Sequence, residues 1–186
     1  NIHDKFLNAY IKRASKLKLG FGVEETPDMG PLITRNDRDR MFDLIDDAIS
    51  KGATIEYGGK IPKGLENGNW IQPTVISGMT TDMRLFTEET FGPIAPIMSF
   101  DSDDEVLEMA NDVKYGLSAS VWTNNLKRSL FFSEQLECGI VWVNTWMQRD
   151  LRTPFGGVKS SGVGREGGFE ALRFFTETKN ICINYE

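Results

Sequence analysis

Apolar positions Ile2, Phe6, Tyr10, Ala14 and Leu17 recur at helical spacing with Lys and Arg between them, and the stripe stops at Leu19-Gly20. This pattern predicts an amphipathic first helix. From Gly20 to Thr34 the periodicity disappears among Gly, Pro and Asp, which reads as a loop. Thr34 is placed to cap a second helix whose face is Met41, Leu44, Ile45, Ala48 and Ile49 and which ends at Gly52.

Ala53 to Tyr57 reads as a short strand, Gly58 to Asn69 as a turn-rich connection, and Trp70 to Ser77 as a second extended segment. Pro73 interrupts that segment, so it is expected away from the sheet centre. Pro93 to Phe100 is β-prone. Ser102 with Glu105 forms a capping-box pattern opening a helix through Val106, Leu107, Met109 and Ala110. Leu117 to Thr123 predicts a strand, Asn125 to Glu137 a helix, and Ile140 to Asn144 another strand. A short apolar helix follows Gly168, and Asn180 to Tyr185 is a β-prone terminal segment whose open edge invites pairing with a second subunit.

Strands alternating with helices of about 10–15 residues predict an α/β fold built from βαβ units, with a mostly parallel sheet covered on both faces. At 186 residues the chain is one domain or part of a larger one. Lys plus Arg total 21 against 27 Asp plus Glu, a net charge of −6, which disfavours nucleic acid and anionic membrane as partners and leaves a small molecule. No apolar run approaches the roughly 18 residues of a membrane span, and no leader pattern is present, so a cytosolic setting is expected. Cys138 and Cys182 have no paired spacing and suit a reducing compartment. The one histidine, His3, leaves a Ser-His-Asp triad or a multi-histidine metal site short of parts and reads as a solvated residue in a first helical turn.

Three segments carry candidate chemistry. The glycine-rich run Pro154 to Gly168 cannot be a helix or strand interior, and shaped glycine loops are where sites sit. Within it Gly162-Val163-Gly164-Arg165-Glu166-Gly167 matches a dinucleotide fingerprint, and Lys159-Ser160 imitates a phosphate loop; neither has the strand before it or the glycine spacing that the motif needs. Glu88-Glu89-Thr90-Phe91-Gly92-Pro93 joins carboxylates able to accept both protons of a ribose diol to an aromatic able to flank a planar ring. The same segment also reads as an exposed acidic turn with Phe91 in the core, and ordinary burial statistics favour that account. Asn144 to Arg152 follows a strand end, where α/β proteins place binding loops. Arg149 or Arg152 could hold a carboxylate beside Trp146, or could simply pair with Asp150 or another acid on a solvated loop, the account favoured by the residues alone.

Four ordered motifs together resemble the C-terminal part of the aldehyde dehydrogenase superfamily along essentially the whole chain: Thr26 to Leu32, Glu88 to Pro93, Tyr115 to Ala119, and Pro154 to Gly157 continued through Lys159, Ser161-Gly162 and Gly164-Arg165-Glu166. The resemblance implies a three-layer αβα domain with a doubly wound sheet over residues 1–173 and an oligomerisation segment over 174–186. It implies NAD(P)-dependent oxidation of an aldehyde to an acid through a cysteine thioester, NAD being the expected cofactor, with homo-oligomeric assembly. By that likeness Glu89 would bind the nicotinamide ribose, Phe91 would lie beside the nicotinamide, and Phe155 would line the substrate channel. Glu166 would be an accessory proton-relaying carboxylate, and Glu177 would pair with Arg165.

In the family the nucleophilic cysteine and the general-base glutamate precede the region matched here, so this chain is expected to be a truncated catalytic domain without activity of its own. Neither Cys138 nor Cys182 has the nucleophile's context. Asn144 to Pro154 resembles the 2-hydroxymuconic and 2-aminomuconic semialdehyde dehydrogenases, and by that likeness Arg149 would grip a substrate's distal carboxylate with Trp146 as an apolar wall. Two other readings stand beside this one. The glutamyl phosphate reductase branch shares the architecture, and a non-catalytic interaction domain would use the same sheet and terminal strand for assembly alone.

Overall fold

A computed structural model describes residues 2–22 and 26–185, and divides the chain into two compact units, 1–100 and 101–186. The part of the expected Gly20–Thr34 loop at residues 23–25 lies outside the described residues. Among the described residues no helix is long and apolar enough to cross a membrane.

In the first unit, α1 (His3–Ala14) and α2 (Arg35–Ser50) cover a sheet of β1 (Thr54–Tyr57), β2 (Thr74–Ser77) and β3 (Ile94–Pro96), with a single-turn α3 (Arg84–Thr87) before β3. The helix α2 begins where a cap was expected. The Thr34 hydroxyl accepts from the Asp37 amide at 3.1 Å, and the Asp37 carboxylate accepts from the Thr34 amide at 3.0 Å, so two otherwise unpaired donors are satisfied.

Strand β2 explains the layering. Alternate residues point to opposite faces, so Val75 packs with Ala14 and Ile97 under α1, while Ile76 packs with Met41, Leu44, Ile45 and Ala48 of α2. All four residues of this sandwiched strand are buried: Val75 and Ile76 supply apolar contact to the two faces, and the Thr74 and Ser77 hydroxyls donate to the Gln72 carbonyl and the Glu56 carboxylate. The expectation that Pro73 excludes this segment from the centre is therefore corrected: β2 is the middle strand of three, antiparallel to β1 and parallel to β3. Pro73 stands one residue before the ladder, where a missing N–H costs nothing, and the Thr74 amide makes the first bond, to the Pro93 carbonyl at 2.8 Å. The expected strand from Pro93 to Phe100 shortens to three residues, with the Ile97 amide donating the last rung to the Ile76 carbonyl at 2.8 Å.

The second unit contains α4 (Asp103–Asn111), β4 (Tyr115–Gly116), β5 (Ser118–Val121), α5 (Leu126–Gln135), β6 (Ile140–Val143), β7 (Val158–Lys159) and α6 (Gly168–Phe175). Strands β5 and β6 are parallel, with Ser118 opposite Ile140 and Val121 opposite Val143, and α5 is the crossover, a βαβ unit as the alternation predicts. At α4 the Ser102 hydroxyl accepts from the Glu105 amide, but the Glu105 carboxylate turns to the Asp101 amide at 2.7 Å, so the reciprocal half of the expected capping box is displaced by one residue. Residues 180–185, expected as a terminal strand, pair with no strand among the described residues, and Ile181, Ile183 and Tyr185 are exposed.

The glycine-rich run from Pro154 does contain pairing that the sequence reading excluded. Strand β7 runs antiparallel to β4, and Phe155 exchanges both backbone hydrogen bonds with Glu166, each at 2.8 Å. What allows this is close backbone approach at Gly139. A Cβ there would run into the carbonyl oxygen of Gly156 and stand 2.8 Å from its carbonyl carbon. Gly139→Ala is expected to destabilise the second unit by roughly 2–3 kcal/mol, as overpacking against immobile backbone does, whereas Gly30→Ala, with nothing within 4 Å of the added carbon, serves as the near-neutral control. Urea unfolding monitored by backbone amide exchange at Phe155 checks this; equal behaviour of the two variants would contradict it.

Candidate functional site

The first unit presents the Glu88–Pro93 loop. Arg84 at the start of α3 donates through Nε to Glu88 Oε1 at 2.7 Å, and its own amide donates to Asp47 on α2 at 2.9 Å. The Arg84 guanidinium beside Glu88 holds that carboxyl below the usual carboxylate range, and the Arg84 amide does the same for Asp47. From α2, Arg40 spans the loop: Nη2 donates to the Glu89 carbonyl at 2.6 Å and Nη1 to the Thr90 carbonyl at 3.1 Å, with Glu88 3.5 Å away. One planar fork thus fixes three consecutive residues.

That anchoring leaves the neighbouring groups outward. Glu88 is consumed in ion pairs, but the Glu89 side chain is exposed and has no ion pair among the described residues. Phe91 is 76% exposed, which corrects the account that put it in the core. It also has φ +47, a left-handed conformation that costs an L-residue about 1–2 kcal/mol. Gly92 lets the loop close on α2, since a Cβ there would overlap the Met41 sulfur and lie 3.1 Å from its Cγ. A separate cavity of about 330 Å³, lined by Tyr10, Arg13, Leu17, Met29, Pro93 and Ile94 among others, includes neither Glu89 nor Phe91.

In the second unit the loop after β6 is shaped by two strand-end residues. The buried Trp142 donates its indole N–H to the Gln148 carbonyl at 2.9 Å. Asn144, at φ +54, uses its side-chain amide as a further rung: Nδ2 donates to the Thr123 carbonyl and Oδ1 accepts from the Thr123 amide, both at 2.8 Å. Asn tolerates the left-handed region better than most residues, so the chain can leave the sheet at that point. Held at both ends, the loop delivers Arg149.

Arg149, Phe155 and Glu166 are brought together. The guanidinium carbon of Arg149 lies 4.0 Å from the Phe155 ring centroid, and its Nη2 donates to Glu166 Oε1 at 2.9 Å. The backbone bridge between Phe155 and Glu166 fixes the floor and the carboxylate of this cluster relative to each other. Arg165 next door donates to the carbonyls of Gly157 at 2.9 Å and Gly164 at 2.6 Å, clamping the loop. The expected Arg165–Glu177 pair is not formed among the described residues: Arg165 directs Nη1 to backbone carbonyls, and Glu177 has no ion pair.

Other candidates sort themselves physically. Arg152 does pair with Asp150, whose carboxyl it holds below the usual range, as the solvated-loop account expected. Trp146 is 71% exposed and makes no aromatic pairing among the described residues. Lys159 donates to the Asn111 and Val113 carbonyls and pairs with Glu137 at 2.6 Å, so it serves structure rather than a phosphate. Burial pushes the Cys138 thiol up, and its Sγ faces the Ile140 carbonyl at 3.2 Å, an unreactive setting. Arg40 was missed by the sequence reading because on a helix rich in Arg and Asp nothing distinguishes one surface arginine from its neighbours.

Helix–sheet–helix layering in the first unit and a βαβ crossover in the second define an α/β protein. The sequence profile of the aldehyde dehydrogenase family matches residues 1–181, and the chain belongs to that family. It is 45% identical over 188 residues to 2-aminomuconic 6-semialdehyde dehydrogenase of a Pseudomonas species, covering 100% of this chain and 38% of that protein. It is 44% identical over 185 residues to 2-hydroxymuconic semialdehyde dehydrogenase of Pseudomonas putida, covering 98% and 38% respectively. Among solved structures, betaine aldehyde dehydrogenase of Staphylococcus aureus in complex with NAD+ superposes with a TM-score of 0.87 at 38% identity, over 94% of this chain and 35% of that one. A putative aldehyde dehydrogenase of Burkholderia cenocepacia gives 0.90 at 36% identity, over 95% and 36%. The chain thus spans somewhat more than a third of the length of these relatives.

The strain at Phe91 yields a direct expectation. Phe91→Gly should raise stability by up to about 1 kcal/mol, because relief of the left-handed Cβ clash, about 1–2 kcal/mol, exceeds the entropy of adding glycine, about 0.5–1 kcal/mol. Phe91→Ala keeps the strained Cβ and should show no such gain. Urea unfolding of both variants decides it, and a loss in Phe91→Gly would mean that the exposed ring contributes packing after all.

Proposed function

We propose that this chain is the closing part of the catalytic domain, residues 1–173, of an NAD(P)-dependent aldehyde dehydrogenase that oxidises a carboxylated semialdehyde to the acid, and that residues 174–186 take part in homo-oligomer formation. The observation that carries the substrate class is the Arg149 guanidinium held over the Phe155 ring, 4.0 Å from its centroid. A guanidinium stacked on an aromatic ring is oriented before any ligand arrives, and its fork matches a carboxylate. The two muconic semialdehyde relatives, at 45% and 44% identity, favour the same substrate class.

The Glu88–Pro93 loop suits the cofactor's nicotinamide end. Glu89 offers an exposed carboxylate for a ribose diol, Phe91 an exposed ring face, and Arg40 holds the loop backbone that orients both. When bound, the nicotinamide cofactor supplies the hydride acceptor. The residues of this chain bind and orient; the thioester-forming cysteine and the water-activating glutamate are assigned to other parts of a family-length protein, since the Cys138 thiol is pushed up by burial. We assign Glu166 the further role of accessory proton carrier on the family likeness alone. Exposure of Phe174, Phe175, Ile181 and Ile183 supports assembly through the terminal segment, and two free cysteines suit a cytosolic location.

The 186 residues alone are expected to form no NADH. In a chimera of family length, with this segment replacing the matching part of a muconic semialdehyde dehydrogenase, Arg149→Ala should lower kcat/KM for a carboxylated semialdehyde at least about 30-fold, the cost of removing a charged partner. A neutral aldehyde of the same length should be nearly unaffected. Equal losses on both substrates, or none, would contradict the assignment.

A further inference from the structure

The carboxylate that Arg149 holds in this structure belongs to the protein. Glu166 Oε1 accepts from Nη2 at 2.9 Å while Phe155 covers one face of the guanidinium, and the other donors, Nε and Nη1, have no partner among the described residues. Both bidentate forks of a guanidinium run through this terminal nitrogen. Nη2 contributes one N–H to each fork, so a second carboxylate either takes the place of Glu166 or binds on the other fork with the resident negative charge beside it. Glu166 can move aside cheaply, since its side chain is 62% exposed, whereas Arg149, at 33%, is pinned by the ring and by the Trp142–Gln148 clamp beside it.

Resting on the reading of Arg149 as a carboxylate site, we propose that Glu166 is the resident counter-ion of Arg149 and sets its selectivity, yielding the guanidinium to an incoming carboxylate and withholding it from neutral ligands. The pair does two things at once. In the empty site it keeps a partly buried cation compensated, so that the fork stays oriented on Phe155. Towards a ligand it acts as a threshold: a carboxylate replaces like with like, but a hydroxyl or carbonyl would have to break an ion pair without replacing its charge. Discrimination thus comes from a built-in competitor as well as from attraction.

Adipate, a dicarboxylate, titrated into the 186-residue chain at one fixed ionic strength tests this, with 1,6-hexanediol as the neutral probe and the backbone amide resonance of Phe155, present in every variant, as readout. Glu166→Gln, which keeps size and removes charge, should bind adipate about three- to five-fold more tightly than the wild type, the scale of a competing exposed ion pair, and should begin to admit the diol. Glu166→Asp, too short to reach the fork, should also gain, by less because its charge remains. Loosening of the loop alone would weaken binding in both, so a gain is not explained by a merely structural role. Adipate binding that depends on Arg149, lost in Arg149→Ala, yet is unchanged or weaker in Glu166→Gln would overturn the counter-ion role and leave the carboxylate site standing. Binding unaffected by Arg149→Ala, or none in any variant, would overturn both.

Discussion

The second unit depends on a contact between two pieces of bare backbone. Where Gly139 enters β6, the carbonyl of Gly156 occupies the space of a side chain, and the glycine-rich run can lie directly on the strand end. From that approach follow the short β4–β7 ladder, the Phe155–Glu166 bridge and the clamp of Arg165 on Gly157 and Gly164. Hydrogen bonds of this kind contribute only about 1 kcal/mol each, so the loop is held by their number and by the absence of any alternative packing with a larger residue at position 139. The cluster of Arg149, Phe155 and Glu166 is the product of that docking.

The two loops with candidate chemistry use arginine in complementary ways. Arg40 spends its fork on backbone carbonyls, so that an acid and an aromatic beside it face outward and unpaired. Arg149 spends one nitrogen on a carboxylate and a face on a ring, so that the arginine itself is the group on offer. In the first case strain at Phe91 accompanies the display; in the second, a counter-ion that can leave. Both arrangements settle geometry before a ligand binds, which is what a positioning site requires.

Much of the fold was legible because it rests on local rules. The Thr34 cap, the stripe of α2 and the β5–α5–β6 crossover follow from spacing and from side chains acting on their own neighbours. The misreadings share a cause in long-range context. Pro73 looked disruptive only while its ladder position was unknown, and the Glu105 return bond shifted to Asp101 through a small difference in chain path. The pairing within the glycine-rich run depends on Gly139, well upstream, and no local pattern announces it. At the candidate site the proposed residues Glu89, Phe91, Arg149, Phe155 and Glu166 stand out in motifs, whereas the groups that hold them in place do not. The Arg149–Glu166 pair spans seventeen residues of chain and Arg40–Thr90 fifty.

In the free protein the Arg149 guanidinium sits over the Phe155 ring, oriented before any ligand binds. Proton NMR of the ligand-free chain tests it most directly, through the ring-current shift of the Arg149 side-chain protons and their cross-relaxation with the Phe155 ring. Upfield-shifted Arg149 signals with clear contacts to Phe155, both removed by Phe155→Leu, are expected. Arg149 signals at their random-coil positions, without contacts to the ring, would contradict it.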